Sequence, residues 1–181
     1  GSKAVAGKEI LTLPGGGQLS NFQFCKSQPP FDNLKLRQAL GRAVDREAIN
    51  EALYGGLGTA SYGLWPEGHR FYLEELAEEL SYDPGQARAL LAEAGYPDGL
   101  SFDVMPIDGF NLPELVEIVQ EQWADIGVDI TIRPTSNYVD DFFIKKQAPV
   151  GVIPTVGPPL SLNQWTAKAV NNPCSYEDPE L

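Results

Sequence analysis

Apolar residues recur along this chain in two rhythms, three or four apart in some stretches and every second residue in others. Leu36, Leu40, Ala43 and Val44 form a stripe at helical spacing after Pro29-Pro30, where a residue before proline is driven to extended backbone. Asn33 is placed to cap that helix through its side-chain oxygen. Asp45 is placed to cap a second, shorter helix bearing Ile49 and Leu53, with Gly55-Gly56 as its stop. Asp83-Pro84 opens a further helix that Gly95 closes, since proline suits the first helical position. Pro113 begins another through Leu115, Ile118, Val119, Trp123 and Ile126, ended by Gly127. Short helices are also expected within residues 71–80, 138–146 and 160–169.

The period of two marks the strands. In residues 19–26, Phe22 and Phe24 alternate with Asn21 and Gln23, which gives one apolar and one amide-bearing side. Residues 100–105, 128–132 and 150–153 predict further strands, and residues 9–13 a short one before a glycine-rich turn. Strand, helix and strand follow in order over 100–132, so those two strands should be parallel, joined by a right-handed crossover. The expected fold class is α/β, a mixed, mostly parallel sheet flanked by helices. Residues 55–71 form a long loop whose Tyr62 and Trp65 have no periodic partner. Residues 1–18 are expected to be a flexible segment beginning in a tag remnant, Gly1-Ser2, ahead of one domain at 19–181.

Composition narrows the classes. A chain of 181 residues, 43% hydrophobic, can bury one ordinary core. It contains no run of about eighteen apolar residues, the length a membrane span needs, and no signal peptide. An export signal is expected to have been cut away. A net charge of −12 opposes binding to a nucleic-acid backbone. Cys25 and Cys174 could form a disulfide, which suits an exported protein, or remain two buried thiols.

Catalytic and metal-binding chemistry find little support. Cys25 and His69, the single histidine, lack a third orienting group and an oxyanion site. Glu74, Glu75, Glu78 and Glu79 lack the order of a cation-binding loop and read as a solvated helix face. Nothing has zinc-ligand spacing, and no glycine-rich loop follows a strand to cradle phosphate. The expectation is a binding protein with no catalytic residue, no metal and no cofactor.

Two stretches carry a resemblance. Pro29-Pro30-Phe31-Asp32, followed by Arg37, Ala39, Ala43, Asp45-Arg46 and Ile49, is one. Tyr82-Asp83-Pro84, followed by Ala87, Leu90-Leu91 and Ala94-Gly95-Tyr96-Pro97-Asp98-Gly99, is the other. Both resemble the extracellular solute-binding proteins of family five, the peptide, nickel and oligosaccharide receptors of ABC importers, and Tyr176 to Leu181 is similar to a later helix start in that family. The resemblance implies one lobe of a two-lobed periplasmic-binding-protein-like receptor, with its C-terminal connection cut. It also implies a monomer, exported to the periplasm or held outside the cell as a lipoprotein. Its partners would be a small solute and an ABC permease, and its mechanism hinge closure.

In such a sheet, ligands sit beyond the carboxyl ends of the parallel strands, which points to the loops after Met105, Arg133 and Ile153. Relatives carry a "W-x-A-D-Y" stretch in the last of these, where the acid holds a peptide's α-amino group. By register Ile153 stands in the tryptophan's place and Val156 in the aspartate's, with Thr155 between them. A buried ammonium would lack its partner there, so the resemblance implies a peptide-like solute without a free α-amino anchor in this lobe. An oligosaccharide is the alternative. A protein-interaction module is the alternative from another class. By place in the family, Asn21, Gln23 and Tyr62 are expected to line the cleft, and Asn163 and Trp165 to follow the neutral loop.

Overall fold

The computed structural model describes residues 4–5, 8–9, 18–26, 28–63, 65 and 67–156. Strands β1 (Ala4–Val5) and β2 (Lys8–Glu9) pair antiparallel, upstream of the expected strand at 9–13, most of which lies outside the described residues. The main sheet holds β3 (Gln18–Phe24), β4 (Leu100–Pro106), β5 (Val128–Ile132) and β6 (Val150–Val156), in the order β3-β6-β4-β5. Strand β4 runs parallel to both β5 and β6, and β3 runs antiparallel to β6.

Local signals set the helices. Asn33 caps α1 (Leu34–Arg42), its side chain accepting from the amides of Lys35 and Leu36. Asp45 caps α2 (Arg46–Tyr54) through the amide of Ala48, and Gly55 ends it in the left-handed conformation. Acidic α3 (Glu74–Glu79) is short, and Asp83 and Pro84 open α4 (Pro84–Glu93). The long α5 (Leu112–Ala124) bridges β4 and β5. The helix expected at 138–146 is a single π-helical turn, Val139–Ile144. The helix expected at 160–169 lies outside the described residues.

The two sheet faces are buried differently. Phe31, from the turn before α1, and Leu36, Leu40, Leu91, Val116, Val119 and Trp123, from the helices, form one core with Val104, Val128, Val150 and Val152. Trp123 also donates its indole N–H to Leu40 O at 3.0 Å, which locks α5 to α1 inside that core. The opposite face carries a smaller cluster of Met105, Tyr138, Phe142 and Ala148, with Ile107, Phe143 and Ile153 against it. The period of two therefore sends Val150 and Val152 of β6 to the first cluster and Ile153 to the second. Gly151 belongs to the second face, where an added Cβ would meet Phe142 Cζ at 2.6 Å and run into the Tyr138 hydroxyl.

At the amino end of the sheet, Gly99 and Gly127 sit at φ +87, and a Cβ on Gly99 would collide with Gly127 O. The approach is possible only with glycine at 99, and it brings Leu100 N onto Gly127 O at 3.2 Å, starting the β4–β5 register.

Candidate functional site

With β4, β5 and β6 parallel, their carboxyl ends Pro106, Ile132 and Val156 share one edge of the sheet. The start of β3, Gln18, lies at that edge as well, opposite Val156. Residues 154–156, expected as loop, are strand, because β3 supplies ladder partners all the way to Val156. The pairing places Asn21 opposite Ile153 and Leu19 opposite Thr155. Asn21, Ile153 and Thr155 thus stand on one face of two adjacent strands. Ile153 is half-buried against the second cluster. Val156 ends the strand, and its side chain lies outside the described residues, as do Asn163 and Trp165.

Gln23 occupies the same face one pair further along, opposite Gly151. It is 8% exposed, and its Oε1 accepts from the Tyr138 hydroxyl at 3.3 Å. Burial pushes that phenol far above its ordinary value, so it stays a neutral donor across the physiological range. Gln23 is therefore a packing group of the lobe's interior as well as a residue of this face.

Thr155 is 3% exposed, and its hydroxyl oxygen is left without a hydrogen-bond partner among the described residues. Only β3 flanks β6 at this position, since the pairing with β4 ends at Val152.

The rim around this edge is built by two loops clipped together. Ile107 bridges Thr135, Asp108 N donates to Thr135 O at 2.8 Å, and Thr135 N donates to Pro106 O at 3.0 Å. The Thr135 hydroxyl donates to Asp141 at 2.6 Å and accepts from Asn137 N at 3.0 Å. That hydroxyl bond, with Lys145 nearby, holds the Asp141 carboxyl below the usual carboxylate range. Lys145 is raised in turn, chiefly by its bond to Asp140.

One rim residue escaped the sequence reading. Phe110 is 58% exposed at φ +58, and Asn111 follows at φ +56 as the α5 N-cap, without a side-chain capping bond. An aromatic residue in left-handed backbone is strained by about 1 kcal/mol or more, and such strain gathers at functional sites. Asp108-Gly109 signals a turn, but nothing in the local pattern says that the turn lifts an aromatic ring into solvent.

Tyr62 sits elsewhere, in the helix layer, its ring 4.7 Å from the Arg46 guanidinium. Arg46 Nη1 also reaches the carbonyls of Gly41, Val44 and Leu80, so it fastens the long loop to the α1–α2 corner. Burial lowers the Arg46 pKa. Farther along that loop Trp65 stacks on His69 at 4.2 Å, and His69 Nδ1 accepts from Phe71 N at 3.2 Å. Cys25 is disulfide-bonded and so offers no thiolate for a pair with His69. Among the described residues no group of three His, Cys, Asp or Glu side chains could hold a metal ion. Among the described residues no helix is long and apolar enough to cross a membrane.

Comparison with known proteins gives a consistent result. Heme-binding protein A of Haemophilus influenzae is 40% identical over 118 residues, 62% of this chain and 21% of that protein. The dipeptide-binding protein of Escherichia coli is 38% identical over 130 residues, 68% of this chain and 24% of that one. The chain thus spans about a quarter or less of the curated relatives it matches. Among solved structures, HbpA2 from Haemophilus parasuis superimposes with a TM-score of 0.77 at 25% identity, covering 91% of this chain and 35% of that one. The profile of the bacterial extracellular solute-binding proteins, family 5 Middle, matches residues 4–167. With that match over most of its length, and with the mixed, mostly parallel sheet and its helices in agreement, the chain belongs to the extracellular solute-binding proteins of family 5.

Proposed function

We propose that this chain is the solute-contacting lobe of the substrate-binding component of an ABC importer, and that it holds a peptide-like solute against the carboxyl edge of its sheet. A second lobe would close over the solute, and the closed form would be read by the permease. The receptor would work in the periplasm or outside the cell, held there by a lipid anchor. The observation that carries this reading is the pairing of Asn21 with Ile153 and of Leu19 with Thr155, which sets an amide among apolar groups near the carboxyl edge. Phe110 stands on the rim as a stacking surface for a ring or a peptide plane.

None of these strand residues carries a charge, and Val156 stands where relatives have an aspartate to hold an ammonium. An ammonium brought here would lose its hydration uncompensated, at a cost of several kcal/mol. A solute with a blocked or remote amino group avoids that loss.

The haem reading suggested by one relative's name fits less well. A ligating imidazole donates from its second nitrogen to an acceptor. His69 does the reverse, because Nδ1 accepts from Phe71 N and the neutral ring then carries its proton on Nε2. Met105, the single methionine, is buried in the second cluster.

Calorimetry on the receptor carrying this lobe tests the proposal, with Met-Leu, N-acetyl-Met-Leu and maltotriose as titrants. Binding of N-acetyl-Met-Leu at least as tight as Met-Leu is expected. A hundred-fold preference for the free amine would contradict the uncharged site, and binding of maltotriose alone would replace the peptide by an oligosaccharide.

A further inference from the structure

Asp-Gly occurs twice in the chain, as Asp98-Gly99 and Asp108-Gly109, and the fold treats the two pairs differently. Such a pair is chemically labile when the glycine amide can reach the aspartate side chain, because glycine has no Cβ to bar the approach. At the first pair that amide is committed. Gly99 N donates to Tyr96 O at 3.1 Å, and Gly99 is wedged against Gly127 O, where a Cβ would collide. At the second pair it is not. Among the described residues Gly109 N donates to no acceptor, and the Asp108 carboxylate has neither an ion pair nor a hydrogen bond. Asp108, Gly109 and Phe110 are exposed, and nothing stands within 4 Å of where a Cβ on Gly109 would lie. Gly109, Phe110 and Asn111 follow one another at φ +96, +58 and +56, so the turn is strained at its phenylalanine and asparagine.

We infer that Asp108 is a site of spontaneous covalent modification, which converts to isoaspartate through a succinimide while Asp98 is spared. Gly109 N attacks Cγ of the Asp108 carboxylic acid, and a five-membered ring closes as the new N–Cγ bond forms. The carboxyl hydroxyl and the amide proton leave together as water. Water then adds back at either ring carbonyl. Breaking the bond from N to Cγ restores aspartate; breaking the bond from N to the main-chain carbonyl carbon leaves isoaspartate, with the backbone running through Cβ and Cγ. No oxidant or cofactor takes part. Asp108 N remains held on Thr135 O at 2.8 Å, so the added carbon lengthens the link between that clip and the first turn of α5. Phe110 and Asn111 are then released from left-handed backbone, which removes the strain of the corner.

The experiment ages the chain for several weeks at neutral pH, folded and in urea, and compares wild type with D108E and D98E. An isoaspartate-specific methyltransferase with labelled S-adenosylmethionine counts the modified residues, and electron-transfer fragmentation of the digested chain locates them. In the folded chain isoaspartate at 108 is expected to exceed that at 98 by about ten-fold or more, and in urea, where neither turn persists, the two should agree within about three-fold. D108E keeps the charge but would need a six-membered ring, so it should remove the signal at 108, and D98E should leave that signal unchanged. Equal conversion at 98 and 108 in the folded chain would overturn the inference. Conversion at 108 in urea but not in the folded chain would overturn it as well, since the fold would then protect this turn.

Discussion

The Tyr138 hydroxyl reaches across the face of β6 to Gln23 Oε1 at 3.3 Å, joining residues 115 positions apart in the chain. The path is open only because Gly151 lies beneath the phenol. This contact ties the edge strand β3, which carries Asn21, to the turn that follows β5. Y138F is expected to lower stability by about 1 kcal/mol, the net value of one buried hydrogen bond. G151A should cost about 2–4 kcal/mol, because the rings cannot move aside without opening the cluster. Urea unfolding of both variants measures the difference, and equal midpoints would show that the passage over Gly151 is not needed.

Asn33 works twice at the start of α1, accepting from Lys35 N and Leu36 N and donating to Ala94 O at 3.1 Å. N33A therefore loses a cap and a bond to the end of α4, and about 2 kcal/mol is expected, above the usual value for a cap alone. N33D keeps the cap but loses the donor, so its midpoint should fall between the two. Denaturant midpoints of the three proteins provide the check.

The rim has an acid-sensitive clip. The Thr135 hydroxyl holds the Asp141 carboxyl below its ordinary value, so the clip stabilises the fold above about pH 4, the unfolded carboxylate value, and is lost as pH falls through the lower folded value. In T135V the Asp141 carbon resonance should titrate at a higher pH than in wild type, by NMR. An unchanged titration would mean that Lys145 alone sets it.

Arg46 joins the α1–α2 corner, the end of α3 and the ring of Tyr62. Lysine keeps the charge but loses the planar fork and the stacking face. R46K is expected to raise amide exchange at residues 57–63 at least ten-fold while the amides of β4 and β5 keep their protection. Uniform loss of protection would instead make Arg46 a support of the whole domain.

Much of this fold could be read from the chain because its signals are local. Asn33, Asp45 and Asp83 cap helices through amides two or three residues ahead, so each cap is spelled out where it acts. Phe22 and Phe24 declare their face by alternation. What lay hidden depends on distant partners. The insertion of β6 between β3 and β4, and its run to Val156, are set by Gln18 and its neighbours on β3. The amide of Gln23 looked available for a ligand, and only Tyr138 reveals how far it is committed inside. Tyr62 had no periodic partner because its partner, Arg46, stacks from another segment. Phe110 escaped because left-handed backbone at an aromatic residue follows from the closure of the β4–α5 corner, not from its own preference.

Hydrogen exchange on the receptor carrying this lobe, with and without N-acetyl-Met-Leu, tests the placement of the solute most directly. Protection is expected at residues 19–23, 107–111 and 153–156, where the strand ends and the rim meet. Protection confined to residues 62–71, with none at β3 and β6, would contradict the sheet-edge site.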